Sequence, residues 1–361
     1  MRVIMTGGGT GGHIFPALAI ADEVMKNEAD SCIKFIGAKG KMEEIVVPEN
    51  NYEIALIEVV GLNRKNMLKN INFIMKYYTS LSRCKKIIKD FKPDVVIGTG
   101  GYVTGPVVSS AVNLGIPSII QEGNSYPGKV IKYLSPKVNK VIVNFEETRD
   151  YLKRKDNVVQ ISYPVRSKIK SFNKEEAIKF FNIKNSSKTV FVFGGSQGSK
   201  AINDVLEDNV EKLSDENINI IWQTGKANFK VFFNKFRNLT DRVKIYGFIN
   251  DMDKAYAASD LVICRAGISS IMELSLTAKP AILIPYPYAA ENHQELNAKA
   301  LVDRDSAIMI REHNIRETLI EEIKSLLDDE IKLKRLSDNI SKIYDIEAPT
   351  KIYKEIKSIL K

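Results

Sequence analysis

Cysteine is scarce in this chain. Cys32, Cys84 and Cys264 are scattered, odd in number and without metal-ligand spacing. That argues against a disulfide framework and fits a reducing compartment. Long apolar runs are missing too, so no segment has the length to span a bilayer. The chain opens directly into a strand, with no charged n-region and apolar h-region, so a secretory signal is not expected. No glycine turn is followed by the lysine and serine/threonine of a P-loop, which argues against nucleotide hydrolysis of that type. No nucleic-acid-binding module is recognisable. What is present is a chain of 361 residues, 44% apolar and 27% charged. That is ordinary for a folded protein and long enough for two domains with their own cores. A cytosolic protein with a membrane-facing surface is the expectation.

Charge is unevenly spread. The formal net charge is +9, and between Leu62 and Lys92 nine Lys/Arg face a single acid, Asp90. Lysine, isoleucine and asparagine are abundant throughout, which inflates any basic run. The stretch reads as an amphipathic helix, roughly Met67–Lys89, with Leu68, Ile71, Ile74, Met75, Tyr78, Leu81 and Ile88 near one face. Such a stripe packs on a sheet in most doubly wound domains. Phe73 and Tyr77 lie off it among Lys69, Lys76 and Arg83, a combination suited to an anionic bilayer. Nucleic acid is the competing partner for such a patch, and the missing module argues against it.

Strands alternate with helical patterns almost throughout, which predicts parallel sheets with right-handed crossovers. The first sheet takes strands near Val3–Met5, Cys32–Gly37, Ile54–Val60, Asp94–Gly98, Pro117–Gln121, Val138–Val143 and Val158–Ile161. A polar connector follows Tyr163. The pattern restarts at Thr189–Phe193, with further strands near Ile218–Gln223, Val243–Tyr246, Leu261–Cys264, Ala281–Ile284 and Ala307–Ile310. The end, from Glu312, is helical, with a kink or restart at Ala348-Pro349. Two Rossmann-like domains facing a central cleft are the predicted architecture, because ligands lie outside the carboxyl ends of open parallel sheets.

The stretch from Arg2 to Pro16 organises the first half. A short strand runs into Gly7-Gly8-Gly9-Thr10-Gly11-Gly12, and a helical pattern begins near Ile14. Strand, glycine turn and helix N-terminus together build an anion site from bare N–H groups and the helix dipole. A tight turn without ligand is the alternative. Gly7, Gly9 and Gly12 also satisfy G-x-G-x-x-G, but no carboxylate follows the second strand until Glu43, which weakens a dinucleotide reading. His13 stands at a helix N-terminus, which disfavours its cation. A neutral imidazole there can act as a base or donate to a phosphate.

In the second half, Gly194-Gly195-Ser196-Gln197-Gly198 is another candidate phosphate turn, with a structural turn as the alternative. From Cys264 to Glu273 a strand ends, Gly267 turns the chain and Ser269 and Ser270 precede Glu273. Either Ser270 and Glu273 form a capping box, or the helix start faces a diphosphate while Glu273 accepts both hydroxyls of a ribose. His293 and Gln294 lie in a polar loop suited to sugar hydroxyls, or simply to solvent. Asp251-Met252-Asp253 resembles a metal pair but reads better as helix capping.

Taken together, Gly7–His13, Gly100-Gly101-Tyr102-Val103-Thr104-Gly105-Pro106, Pro164-Val165-Arg166, Gly194–Gly198, Arg265–Glu273 and Gln294 with Asn297-Ala298 resemble a known family over essentially the whole chain. It is the peptidoglycan N-acetylglucosaminyltransferases that convert lipid I to lipid II. The resemblance implies the two-Rossmann GT-B fold, with an N-terminal domain over residues 1–163, a UDP-sugar domain over 164–347, and residues 348–361 packing back on the first. It implies inverting transfer of N-acetylglucosamine from its UDP ester to the 4-hydroxyl of undecaprenyl-diphospho-muramyl-pentapeptide, with no cofactor and no metal in the chemistry. By position, uracil meets backbone at Ile249 and the ribose meets Glu273. The diphosphate meets Ser196, Arg166 and the helix start Ile268, Ser269 and Ser270. Thr10, Gly11, Asn124 and Gln294 hold the sugar. The first glycine turns, Gly12 included, take the lipid diphosphate. His13 or Glu122 is the base, His13 preferred. The implied location is the cytoplasmic face of the membrane, reached through the basic helix 64–92, with no nucleic-acid partner. The chain departs from the family at Gln121-Glu122-Gly123-Asn124, often His-Glu-Gln-Asn, and at Tyr163, often Asn.

Overall fold

The computed structural model describes residues 1–59, 70–165, 172–239 and 241–360, with residues 70–76 described by backbone alone. Two compact units result, Met1–Arg166 with Asp345–Lys361, and Ser167–Tyr344.

In the first unit the elements run β1 Arg2–Thr6, α1 Gly11–Asn27, β2 Cys32–Ala38, α2 Met42–Glu49, β3 Glu53–Ile57, α3 Asn70–Phe91, β4 Val95–Gly98, α4 Thr104–Asn113, β5 Ser118–Glu122, α5 Lys129–Leu134, β6 Lys140–Val143 and β7 Val158–Gln160. All seven strands are parallel, in the order β3-β2-β1-β4-β5-β6-β7. Their apolar runs are buried from both faces, as parallel strands under helices require. Ile4, Val96, Ile120 and Val141 face one core layer, and Val3, Met5, Ile97, Ile119 and Ile142 face the other. Ile14, Leu18, Ala21 and Val24 of α1 recur at helical spacing and close the second layer.

Of the expected stripe on the basic helix, Ile88 is buried and Leu81 half-buried; Leu68 lies outside the described residues, and the side chains of Ile71, Ile74 and Met75 are not described. The buried line of the helix runs through Ser80, Cys84, Ile88 and Phe91. Tyr78, expected on the core stripe, is exposed, while Tyr77 is half-buried. Ser80 Oγ donates to the Glu58 carbonyl, and the Leu81 carbonyl accepts from Ser110 Oγ on α4. Those two bonds tie the helix to its neighbours, and no periodicity rule foresees them. Lys69 lies outside the described residues, and the side chain of Lys76 is likewise not described.

The second unit contains α6 Lys174–Phe181, β8 Thr189–Phe193, α7 Lys200–Asp215, β9 Asn219–Gln223, α8 Phe229–Lys235, β10 Val243–Tyr246, α9 Met252–Ala258, β11 Leu261–Cys264, α10 Ile268–Leu276, β12 Ala281–Leu283, α11 His293–Val302, β13 Ile308–Met309, α12 Ile315–Asp328 and α13 Glu330–Ile340. Its sheet is again parallel, in the order β10-β9-β8-β11-β12-β13. Trp222 is fully buried and donates to Asn203 Oδ1 at 3.0 Å, which satisfies its indole N–H.

The last helix, α14 Ala348–Ile359, belongs to the first unit. Pro349 sits in its first turn, where a missing N–H does no harm. Ala348, Ile352 and Ile356 pack into the α1 layer. Glu28 accepts from Tyr353 Oη at 2.9 Å, Lys357 Nζ at 2.6 Å and the N-terminal amine at 3.2 Å. These bonds hold its carboxyl down at about 2. No helix among the described residues is long and apolar enough to cross a membrane.

Each sheet reverses its winding beside its first strand, between β1 and β4 and between β8 and β11. Ligands of open α/β sheets bind beyond the strand ends at such reversals. Both candidate turns of each unit leave strands that flank its reversal.

Candidate active site

In the first unit, β1 ends at Thr6 and α1 begins at Gly11, with Thr10 as an extended N-cap whose hydroxyl makes no capping bond. Gly11 and Gly12 form the first helical turn, where N–H groups lack helical partners. The turn after β4 closes on this one. A Cβ on Gly101, which has φ +85°, would stand 2.3 Å from the Gly8 carbonyl, and one on Gly100 2.5 Å from His13 Nδ1. Only glycine lets the two turns meet. His13 Nδ1 lies 3.1 Å from the Thr99 carbonyl. A carbonyl only accepts, so Nδ1 carries the proton in this contact, and in the neutral imidazole the lone pair lies on Nε2. Tyr163, buried, donates to the Gly12 carbonyl at 3.0 Å.

Glu43 takes a place that its sequence position concealed. Fully buried, it accepts from the N–H of Gly9 at 2.9 Å and of Ala38 at 3.0 Å. It fixes the first glycine turn against β2. The adjacent acids Glu43 and Glu44 opening the short helix α2 were the available signal.

Glu122 ends β5 and is held within its own loop. Its Oε1 accepts from the backbone N–H and the side-chain amide of Asn124, both at 2.9 Å, and its Oε2 accepts from Gly128 N–H at 2.9 Å. Burial pushes its carboxyl up despite these donors. With both oxygens bonded inside its own loop, Glu122 braces Asn124. Gln121, beside it, has both side-chain polar atoms buried without a partner among the described residues.

In the second unit, β8 runs into the Gly194–Gly198 turn and α7, with Ser196 exposed at the tip and Ser199 capping the helix through Ile202 N–H. Gln223, at the end of β9, ties this turn to the next loop. Its Nε2 donates to the Gly195 carbonyl at 3.0 Å and its Oε1 accepts from Ile249 N–H at 2.8 Å. Sequence reasoning missed Gln223, because only the fold brings β9 between the two loops.

After β11 the chain turns at Gly267, the N-cap of α10, so Ile268, Ser269 and Ser270 form the first turn. The capping box does not form. No acid lies in that turn, and Glu273, one turn further on, accepts from Tyr256 Oη at 2.8 Å. Burial raises Glu273 to about 7, and the Tyr256 bond opposes the rise. Arg265 braces the strand ends by donating to Ser199 Oγ at 2.7 Å, to the carbonyls of Ile284 and Pro285, and to Glu312. Gln294, at the start of α11, accepts from Tyr286 N–H at 2.9 Å, which directs its amide nitrogen away from that contact. Asn297 donates to the Ala266 carbonyl at 3.3 Å and holds α11 to the β11 turn.

Arg166 lies outside the described residues. Asp251 stands at the N-cap of α9, but its carboxylate pairs with Lys254 instead of capping. Among the described residues no group of His, Cys, Asp and Glu could hold a metal ion. A concavity of about 590 Å³ opens near Pro285, Tyr288, Glu312 and Arg316, and none of the sequence-predicted residues lines it. Paired charges occupy its walls, Arg311 with Glu295 and Arg316 with Asp204.

The profile of the glycosyltransferase family 28 N-terminal domain matches residues 3–143, and that of the family 28 C-terminal domain matches residues 189–349. The UDP-N-acetylglucosamine–N-acetylmuramyl-(pentapeptide) pyrophosphoryl-undecaprenol N-acetylglucosamine transferase of Christiangramia forsetii is 41% identical, over 100% of this chain and 98% of its own. The transferase of the same name from Desulforamulus reducens is 40% identical, over 100% and 99%. Among solved structures, MurG of Acinetobacter baumannii superposes with a TM-score of 0.79 at 25% identity, covering 99% of both chains. The two parallel sheets are thus those of a GT-B glycosyltransferase. The chain belongs to glycosyltransferase family 28, and within it to the family of these N-acetylglucosamine transferases.

Proposed function

We propose that this chain transfers N-acetylglucosamine from UDP-N-acetylglucosamine to the muramyl 4-hydroxyl of undecaprenyl-diphospho-muramyl-pentapeptide, forming lipid II from lipid I in peptidoglycan synthesis. The observation that carries this is full-length identity of about 40% to transferases named for that reaction. The geometry of each unit supports it.

The second unit takes the donor. The helix start Ile268–Ser270 and the tip residue Ser196 offer N–H and hydroxyl donors to the diphosphate, and Arg166 adds charge. Glu273 accepts both ribose hydroxyls. Ile249 offers its carbonyl to the imide N–H of uracil, its own N–H being held by Gln223. Gln294 meets the sugar on this unit, and Thr10, Gly11 and Asn124 are the sugar-binding candidates of the first. The first unit takes the acceptor, with the Gly7–Gly12 and Gly100–Gly101 turns facing the lipid diphosphate.

His13 is the general base. The lone pair fixed on Nε2 takes the proton as the 4-hydroxyl attacks the anomeric carbon from the face opposite UDP. One displacement inverts the centre, α in the donor and β in the product. UDP leaves with its charge met by helix N-termini and a guanidinium, so the chemistry needs no metal. The basic segment 64–92, α3 included, rests on the anionic inner face of the membrane, where the acceptor lies.

Incubation with labelled UDP-N-acetylglucosamine and a lipid I analogue tests the reading. The expected product is the β-linked disaccharide lipid, with one UDP released per transfer. Transfer to diacylglycerol alone, or epimerisation of the donor without transfer, would overturn it.

A further inference from the structure

We propose that Tyr256 is a positioning residue for nucleotide recognition: its buried hydroxyl sets the orientation of the Glu273 carboxylate and favours the anion that a vicinal diol requires. The proposal rests on the ribose reading of Glu273. It adds a residue that contributes no contact to the nucleotide itself.

The ring of Tyr256 is completely buried on α9. It meets Phe191 edge-on at 5.6 Å and Phe193 at 6.2 Å, and those two rings stack on each other at 4.8 Å along β8. Three packed aromatics leave the hydroxyl one position, 2.8 Å from Glu273 Oε2. Glu273 itself is carried on α10. Two elements therefore fix one carboxylate, one through its backbone and one through its distal oxygen.

The chemistry follows from lone pairs. An ionised carboxylate offers about four acceptor sites on two oxygens. Tyr256 occupies one of them on Oε2. The remaining sites, on both oxygens, suffice for two ribose hydroxyls. A protonated carboxyl would carry a hydrogen on one oxygen and lose that paired acceptor edge. Two ionisable groups act on Glu273 or respond to it, Tyr256 from α9 and the Cys264 thiol from β11. Burial pushes Cys264 up, so the thiol stays neutral. Tyr256 is also held protonated, well above its ordinary value, and remains a donor at neutral pH. Among the described residues, its hydrogen bond is what draws Glu273 back from the rise that burial imposes.

The test compares Tyr256→Phe, Glu273→Gln and the parent enzyme in the transfer assay from pH 5.5 to 8.5, varying UDP-N-acetylglucosamine. That donor is a diphosphate diester with no proton to lose in this range. Phenylalanine keeps the ring and its packing, and a thermal melt checks that the fold is retained. At pH 7, Tyr256→Phe is expected to raise the donor KM about tenfold with kcat within about twofold. The acidic limb of donor kcat/KM should move up by about one pH unit. The acceptor KM should stay unchanged. A merely structural tyrosine would not move the limb. If Glu273→Gln raises the donor KM while Tyr256→Phe leaves both KM and limb in place, the proposal is overturned and the ribose reading stands. If Glu273→Gln leaves the donor KM unchanged, the ribose reading falls and the proposal falls with it.

Discussion

At the scale of single residues, the site depends on which lone pairs and protons are already committed. The Thr99 carbonyl commits Nδ1 of His13, which leaves Nε2 as the basic nitrogen. His13→Ala should therefore lower kcat by about 10²–10⁴-fold, the usual contribution of a general base, with little change in donor KM. Near-parental kcat would dismiss His13 as base. Glu273 is raised to about 7 by burial. The native state thus binds a proton that the unfolded chain has already lost, and stability contributed by the neutral form declines as pH rises from about 4.5 to 7. Glu273→Gln, neutral at every pH, should be more stable than the parent at pH 8 by about 1–3 kcal/mol, while binding donor poorly. Urea unfolding at pH 5 and pH 8 checks this, and an equal difference at both would contradict it. The sequence exposed Glu273 but offered a capping box as an equal explanation. The capping box is removed because Gly267 caps α10 and Glu273 lies beyond its first turn, a boundary that local spacing does not encode. Glu122 is a parallel case: the loop donors that hold both of its oxygens are not visible in local spacing.

At the scale of elements, glycine turns and docked helices decide what is rigid. Gly101→Ala would place a Cβ against the Gly8 carbonyl, in a backbone conformation that disfavours any side chain. It should separate the two first-unit turns and raise the acceptor KM, with the donor KM unaffected in a transfer assay. The strands and their order of use were legible in the sequence because parallel strands write themselves as short apolar runs between glycine turns. The core line of α3 was not. It passes through Ser80 and Cys84, residues that hydropathy patterning passes over. The docking of α14 depends on Glu28, held at about 2 by Lys357, Tyr353 and the N-terminal amine. A carboxylate held low stabilises above its unfolded value, and that contribution is lost as pH falls from about 4.5 towards 2. The stability difference between the parent and Glu28→Gln should therefore be present at pH 6 and shrink at pH 3. Ile352, fully buried on the same helix, tests the packing separately. Ile352→Ala should destabilise the first unit by about 2–5 kcal/mol in urea.

At the scale of the whole molecule, the function proposed above assigns the nucleotide sugar to the second unit and the acceptor to the first, and the +9 balance suits a protein that works at an anionic surface. Charge reversal at Lys69, Lys76 and Arg83 should weaken binding to anionic vesicles and leave turnover on a soluble acceptor analogue intact; unchanged vesicle binding would remove this surface from the account. Added salt should weaken the parent's vesicle binding in the same direction.

The most direct measurement is transfer itself: purified protein, UDP-N-acetylglucosamine labelled in the sugar, a lipid I analogue, and the linkage of the product read by NMR. The account predicts a single β-linked disaccharide lipid, formed in step with UDP release. An α-linked product, or release of UDP without any glycosylated lipid, would contradict it.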